Sequence, residues 1–367
     1  LSTSRTREGA SRHLRLLYKL IMGIRKVLAA ALLLCFCGGT RYCVVKGFQQ
    51  RRGVSSSHRR AHTSTWCRQT SKSPTELSAI LPQPLEAAML VRGGDVGAVT
   101  QSIVSGLQSG PFGILSLWSI ASSVLVPLTL YRQGWSFSVG YGYSVMAMAI
   151  SMYNILQPTP WTSPWYLVTS TMFYGFRLGS FLLVRQLVSK TKGDEMKATD
   201  KSARLQRIPF AVGVALFYSM MASPNLCALQ ASSPLGAVGA CGAALAWAGA
   251  LLEAIADTHK LIVKQQSKDD SGKFVGPTTW TYKLSRHPNY FGELLFWFGL
   301  WFGGAVATKN PIGLVASTIG LYGIYGIMTG ATKRIDERQT ERYGGQKKYD
   351  EWKSKVKAPL FPFVNKE

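Results

Sequence analysis

Acidic residues are scarce in this sequence. The 367 residues include 18 Asp and Glu against 42 Lys and Arg, which gives a formal net charge of +24. No acidic residue occurs between Gly9 and Thr75 or within residues 96–193. Such a basic excess suits nucleic acid, an anionic membrane surface or an anionic cofactor. No known nucleic-acid-binding module is present and the basic residues flank apolar blocks. Nucleic acid is therefore not an expected partner, and most of the charge is interpreted as flanks of membrane spans.

Motifs of several metal-binding and enzyme classes are also missing. Of the six cysteines, four lie in residues 35–67, and only Cys227 and Cys241 lie further along, both in apolar segments. No CxxC pair or Cys/His spacing occurs, so no metal site is expected and both residues are interpreted as apolar filling. No GxGxxG stands between a strand and a helix pattern, which argues against a Rossmann site. No His and Asp stand at triad spacing, so nucleophilic catalysis is not predicted.

Residues 1–100 are interpreted as a leader, and residues 101–367 as the membrane domain. The segment MGIRKVLAAALLLCFCGG, which begins at Met22, has the basic, apolar and small-residue order of a secretory signal peptide. Residues 1–21 are interpreted as upstream sequence or an incomplete start. The following stretch is acid-free and rich in Arg and Ser, as transit peptides are. A signal followed by a transit peptide favours a plastid membrane, with the endoplasmic reticulum, another endomembrane or the mitochondrion as alternatives.

Long apolar blocks predict an all-α protein, a polytopic transmembrane bundle of about seven spans with a charged, amphipathic C-terminal tail. A spanning helix needs about 20 mostly apolar residues. The segments that fit are 111–131, 136–156, 165–187, 208–228, 235–256, 289–308 and 311–330. The Gly- and Ala-rich segment 235–254 suits close helix packing in lipid. The oligomeric state cannot be inferred from these patterns.

The charges between these blocks predict an orientation. Seven alternating spans would place segments 188–207, 257–287 and 331–367 on one side, and all three are heavily charged. The opposite side would receive the uncharged segments 157–164 and 229–234 and the Lys309–Asn310 turn. The positive-inside rule then assigns the charged side to the cytosol or stroma, where a soluble dinucleotide is available.

The segment TYKLSRHPNYFGELLFWFGLW, residues 281–301, carries the strongest functional signal. Polar side chains cluster at the start of the sixth predicted span: Arg286, His287, Asn289, Tyr290 and Glu293. Asn289 and Glu293 are four residues apart and share one helix face. A carboxylate inside an apolar helix is costly and therefore predicts a function. The alternative is that Glu293 only pairs with an arginine to stabilise packing.

Four segments resemble the steroid 5-alpha-reductase-like membrane reductases of the DUF1295 branch. RHPNYFGE at 286–293 closely matches the family signature. The others are YGFRLGSFLLVRQ at 174–186, EAIADTHKLIVK at 253–264, and the charged tail with its Tyr-Gly and Trp at 332–363. They occur in the family's order, so the resemblance covers roughly residues 165–363.

The resemblance implies a membrane-embedded oxidoreductase that uses NADPH to reduce an enone-type C=C bond of a lipid, sterol or isoprenoid. By position, Asn289 and Glu293 match residues that hold the nicotinamide amide, and Asp257 and Lys264 match residues near the adenosine and phosphate end. Several cations predicted on the same side suit the phosphates. The candidate cofactor-binding residues are Asp257, Lys260, Lys264, Arg286, His287, Asn289, Tyr290, Glu293, Arg334 and Arg338.

Tyr174 and Arg177 are the catalytic candidates, three residues apart on the third predicted span. The resemblance implies that Tyr174 hydrogen-bonds a substrate carbonyl and stabilises the developing enolate oxygen while hydride arrives. Arg177 in an apolar span needs a partner, and Glu293 or a phosphate is expected. The steroid-reducing relatives also use a glutamate from the early spans. This chain has none in residues 96–193, so either the carbonyl is held differently or the substrate is not a 3-ketosteroid.

Other interpretations stay open. S-adenosylmethionine-dependent membrane methyltransferases of the isoprenylcysteine type share an RHPxYxG-like stretch, although Glu293 and Asp257 favour the reductase. A non-enzymatic membrane protein is the third possibility, and no pair of broken helices indicates a transporter. His287 either contacts the cofactor or holds backbone or tail. The tail aromatics either lie on the membrane surface or cover the cofactor.

Overall fold

The computed structural model describes residues 112–188, 190–266, 272–308 and 310–362. These ranges contain helices and no strand. The α-helices are α1 (Ile114–Tyr131), α2 (Val139–Leu156), α3 (Ser163–Val188), α4 (Lys190–Ala198), α5 (Ile208–Leu229), α6 (Gly236–Gln266), α7 (Pro288–Leu300), α8 (Pro311–Tyr343) and α9 (Lys347–Lys355). Short 3-10 turns cover Gln133–Phe137, Leu205–Arg207 and Trp280–Lys283, and a π-helical turn, Trp301–Val306, follows α7. The predicted all-α class is confirmed, whereas the leader predictions lie outside the described residues.

Among the described residues, five helices are long and apolar enough to cross a membrane: α1, α3, α5 with the turn before it, α6 and α8. They identify an integral membrane protein. The other two predicted spans correspond to α2 and α7. Helix α2 carries three tyrosines and two serines among its apolar residues, and the α-helical part of α7 has only 13 residues. The count of seven spans therefore stays a prediction.

Two antiparallel helix pairs pack backbone against backbone. Between α6 and α7, a Cβ atom on Gly292 would lie 2.7 Å from the Glu253 backbone nitrogen. Between α2 and α3, a Cβ atom on Gly175 would lie 2.6 Å from the Met146 nitrogen. In lipid, helices associate through close van der Waals packing, which small residues permit. The Gly- and Ala-rich segment 235–254 lies at the first of these interfaces.

Because of the directions in which the helices run, the charged connections between them lie at one end of the bundle. Helices α2 and α7 begin at this end, and α3 and α6 finish there. Helix α6 continues to Gln266, past the predicted span end at residue 256, because the charged residues that follow keep a helical conformation. Asp257, Lys260 and Lys264 consequently lie on a helix and not in a loop.

The C-terminal tail packs on the protein at this same end. A small apolar core joins it to the α6–α7 connection: Ala256, Phe274, Tyr282, Tyr349, Trp352 and Val356, with Tyr343 against it. Trp352 Nε1 donates to the Tyr282 carbonyl at 3.1 Å. The tail aromatics thus contact protein, and the polar face of α9 is left outward.

Candidate functional site

A hydrogen-bonded chain joins two tyrosines and a glutamate inside the bundle. The Tyr141 hydroxyl, at the start of α2, donates to Glu293 Oε1 at 2.9 Å and lies 3.0 Å from the Tyr174 hydroxyl. Trp297 Nε1, one turn after Glu293 on α7, donates to the Tyr141 hydroxyl at 2.8 Å. Tyr174 is fully buried and Glu293 is 5% exposed. Glu293 therefore faces the bundle interior, on the face that its spacing from Asn289 predicts.

Aromatic packing fixes both phenols. The Tyr174 ring stacks on Phe296 with a centroid separation of 4.0 Å. The Tyr141 ring lies 4.8 Å from that of Tyr218, whose own hydroxyl donates to the Ser136 carbonyl at 2.8 Å. Because stacked rings in a dense core cannot swing away, the two hydroxyls are held beside the carboxylate.

Arg177 binds two carboxylates of α6. Its Nη2 lies 2.8 Å from Glu253 Oε1 and its Nη1 lies 2.8 Å from Asp257 Oδ2. Asn289 Nδ2, at the start of α7, donates to the other oxygen of Asp257 at 3.2 Å. The sequence indicated correctly that Arg177 has a partner, but the protein partners are Glu253 and Asp257 and not the expected Glu293, whereas the alternative partner, a phosphate, stays a prediction. Helix α6 packs beside α3 and presents Glu253 and Asp257 one turn apart on the facing side.

Apart from Arg177 Nη2, which forms the ion pair with Glu253, three polar atoms of this network are buried without a hydrogen-bond partner in the protein. They are Glu253 Oε2, Asn289 Oδ1 and Arg177 Nε. An unpaired buried acceptor or donor costs about 1–3 kcal/mol, and native proteins leave few of them. These atoms are therefore expected to bind water or a ligand, two of them as acceptors and one as a donor.

Arg286 and His287 hold the tail. Arg286 Nη2 lies 2.6 Å from Asp336 Oδ2 on α8, and its Nη1 donates to the carbonyls of Val356 and Lys357 at 2.8 and 2.9 Å. His287 Nε2 lies 2.8 Å from the other Asp336 oxygen. Burial lowers the pKa of His287, and Asp336 offsets this only in part. At neutral pH the imidazole is therefore uncharged and donates from Nε2.

The remaining candidates lie around the charged end. Lys260 and Lys264 lie on the last turns of α6, and Lys260 acts electrostatically on His287. Arg334 lies on the polar extension of α8 and, together with Arg185 at the end of α3, acts electrostatically on Tyr290. Arg338 is exposed one turn beyond Arg334. The buried Nε of Arg185 has no hydrogen-bond partner. Within the described ranges, no group of three or more His, Cys, Asp or Glu could hold a metal ion.

Sequence reasoning missed three residues of this site. Glu253 precedes Asp257 by four residues, and that pair of acids at the end of an apolar span was a usable signal. Arg185 is a second arginine on the third span and gave a similar signal. Tyr141 gave none, because the first two spans resembled the family only in hydropathy and a tyrosine in such a span is more often a packing residue.

Comparison with known families assigns most of the described chain. The family model described as "Protein of unknown function (DUF1295)" matches residues 117–356. The matched region begins in α1, upstream of the resemblance at 165–363, and ends at Val356, three residues before the Pro359 carbonyl that Ser285 and His287 bind. No curated protein and no solved structure matches the chain.

Proposed function

The chain belongs to the DUF1295 family, and from that premise we propose that it is a membrane-embedded oxidoreductase that uses NADPH. Its reaction would be the reduction of an enone-type C=C bond in a lipid, sterol or isoprenoid. The proposed cofactor enters the bundle from its charged end, and the proposed substrate comes from the lipid. Tyr174 is the residue at which we propose that the two meet.

One observation carries this proposal, namely the two buried acceptor oxygens left without a donor. Glu253 Oε2 and Asn289 Oδ1 lie on either side of the Arg177–Asp257 pair. A nicotinamide carboxamide presents two N–H donors on one nitrogen and one carbonyl acceptor. Unpaired acceptors and a nearby unpaired donor, Arg177 Nε, are the complement of that group. The residues present therefore fit the head of the cofactor.

The other end of the cofactor needs cations, because the pyrophosphate and the 2′-phosphate are polyanionic. Arginine suits phosphate oxygens through its planar fork of donors. Arg185 and Arg334 both act on Tyr290, and Lys260 lies near His287. These side chains supply positive charge at the outer end of the same cluster. Arg286, in contrast, is committed to Asp336 and to the tail.

When bound, NADPH supplies the hydride. The chain's own residues then have three roles. Glu253 and Asn289 orient the carboxamide, and Arg177 keeps Glu253 and Asp257 in place. Tyr174 donates a hydrogen bond to the substrate oxygen on which negative charge develops. Burial of these side chains strengthens each of these interactions. Glu293, for which the resemblance implies a carboxamide contact, reaches the phenols through Tyr141 and would take the place of the acid that the early spans lack.

A second candidate has one specific observation in its favour. The cluster holds three buried carboxylates, Glu253, Asp257 and Glu293, against a single arginine, Arg177. An excess of buried negative charge suits a cation, and S-adenosylmethionine carries a sulfonium. A membrane methyltransferase is therefore the alternative.

Cofactor-dependent thermal stability of the detergent-purified chain tests these functions. A ligand present at 100 times its Kd adds about 2.7 kcal/mol to the free energy of unfolding. We expect stabilisation by NADPH and none by S-adenosylmethionine. The reverse result would replace the reductase with the methyltransferase, and no shift from either would favour a non-enzymatic protein.

Two asparagine variants make the test specific to the site. Asn289→Leu removes one carboxamide acceptor and should abolish the NADPH shift. Asn225→Leu is the matched control, because Asn225 is also buried with an unpaired Oδ1 but is bonded to Thr171, outside the cluster. An NADPH shift that survives in Asn289→Leu would contradict the proposed binding mode.

A further inference from the structure

We infer that Tyr141 controls the proton of this reaction, by joining Glu293 to Tyr174 in a chain that carries one proton toward the substrate. The inference rests on the proposed reductase function and adds a role for a residue of α2. It depends on how many hydrogens the three side chains can share.

The Tyr141 hydroxyl has one hydrogen and two lone pairs. Three groups surround it: Trp297 Nε1 at 2.8 Å, Glu293 Oε1 at 2.9 Å and the Tyr174 hydroxyl at 3.0 Å. An indole N–H can only donate, so Trp297 always occupies one lone pair. One hydrogen and one lone pair are left for Glu293 and Tyr174.

Among the arrangements that satisfy that count, two use the Tyr141 hydroxyl as the link between Glu293 and Tyr174. With Glu293 ionised, Tyr141 donates to the carboxylate and the Tyr174 hydrogen points inward, toward Tyr141 or the carboxylate. With Glu293 protonated, the carboxylic acid donates to Tyr141, Tyr141 donates to Tyr174, and the Tyr174 hydrogen is free to point at a ligand. The protonation of Glu293 thus decides whether Tyr174 can act as a donor.

The proposed reaction converts the second arrangement into the first. Hydride from the reduced nicotinamide cofactor adds to the β-carbon of the enone, and the C=C electron pair moves toward the carbonyl oxygen. That oxygen takes the Tyr174 proton, Tyr174 takes the Tyr141 proton, and Tyr141 takes the Glu293 proton. The substrate becomes an enol, which tautomerises to the saturated carbonyl. Glu293 is left ionised, and one proton from solvent then protonates it again and restores the starting arrangement.

The Tyr141 hydroxyl is the link between Glu293 and Tyr174, so its removal interrupts the hydrogen-bond chain. Tyr218 is also a buried tyrosine beside it, but its hydroxyl is bonded to the Ser136 carbonyl. The charged and titratable groups that face Glu293 are Tyr141 on α2, Tyr174 and Arg177 on α3, Tyr218 on α5, Glu253 and Asp257 on α6, and Tyr290 on α7. Phenylalanine at 141 would keep the ring contacts and remove only the relay hydroxyl.

Infrared difference spectroscopy of the full chain in lipid nanodiscs, acid minus neutral, tests this inference. Protonation of Glu293 should give a carboxylic-acid band together with a tyrosine C–O signal, because the hydrogen bonds at both phenols reverse. Glu293→Gln should lose both. Tyr141→Phe should keep a shifted acid band and lose the tyrosine signal, including the part from Tyr174. Tyr218→Phe should match the wild type.

A Tyr174 response that persists in Tyr141→Phe would overturn the inference, as would its loss in Tyr218→Phe. Tyr174→Phe removes the hydroxyl at the substrate end of the hydrogen-bond chain. It should leave a reduced tyrosine signal, which comes from Tyr141 alone. An unchanged signal in that variant would also contradict the chain. NADPH-dependent stability is measured on the same samples and should be kept in all three Tyr→Phe variants. If NADPH did not stabilise the wild type, the proposed function would be overturned. The infrared result, in contrast, tests only the hydrogen-bond chain.

Discussion

Removal of Arg177 should destabilise the bundle strongly. Arg177→Met keeps much of the side-chain volume but leaves Glu253 and Asp257 without their cation. Both ion-pair distances are 2.8 Å, and the exposed fractions of the side chains are 14% for Arg177, 3% for Glu253 and 9% for Asp257. Loss of one partner from a buried pair costs about 3–5 kcal/mol, because a desolvated charge stays behind. With two carboxylates left, we expect the upper part of that range.

Arg132→Met is the matched control. Arg132 pairs with Asp200 at the same distance, 2.8 Å, but the exposed fractions are 28% and 19%. Ion pairs near the surface contribute about 0–1 kcal/mol, and Asp200 keeps its second ion pair, with Arg207 at 3.0 Å. The free energy of unfolding of both variants would be measured by denaturant titration in mixed micelles. Combining Arg177→Met with Glu253→Gln and Asp257→Asn should recover most of the loss, because no buried charge then remains unpaired.

Equal losses for Arg177→Met and Arg132→Met would refute the account of a desolvated three-residue ion pair. Failure of the neutralised combination to recover stability would refute it too. That second result would mean that Arg177 acts mainly through packing against the ring of Phe181, whose centroid lies 6.0 Å from the guanidinium.

Two further perturbations examine the α6–α7 interface and the tail. Gly292→Ala places a Cβ 2.7 Å from the Glu253 backbone nitrogen. The substitution should lower the free energy of unfolding by about 1–3 kcal/mol and weaken NADPH-dependent stabilisation. An unchanged denaturant midpoint would contradict this close packing. Asp336→Ala removes the carboxylate that binds Arg286 and His287. Trypsin should then cleave the tail faster, while the helical content measured by circular dichroism stays the same. Equal cleavage rates would show that the tail is held without this carboxylate.

The helical class and the main polar motif could be predicted because their signals are local. Apolar blocks of spanning length and bounding prolines are visible one segment at a time. Two features were not visible in this way. Helix α6 continued through charged residues past 256, and α2 and α7 lacked the length or hydropathy of the other spans. Charge alone is a poor marker of where a membrane helix ends, because a helix can extend beyond the lipid.

The sequence by itself determined that this chain is a helical membrane protein with a polar motif at the start of one helix, because hydropathy and an intramembrane carboxylate carry that information directly. Only the tertiary structure decided which groups meet. It paired Arg177 with Glu253 and Asp257, assigned Arg286 and His287 to the tail, and brought Tyr141 from α2 to Glu293 on α7. These partners are up to 152 residues apart. Helix packing sets such pairings, and no local pattern in the chain encodes them.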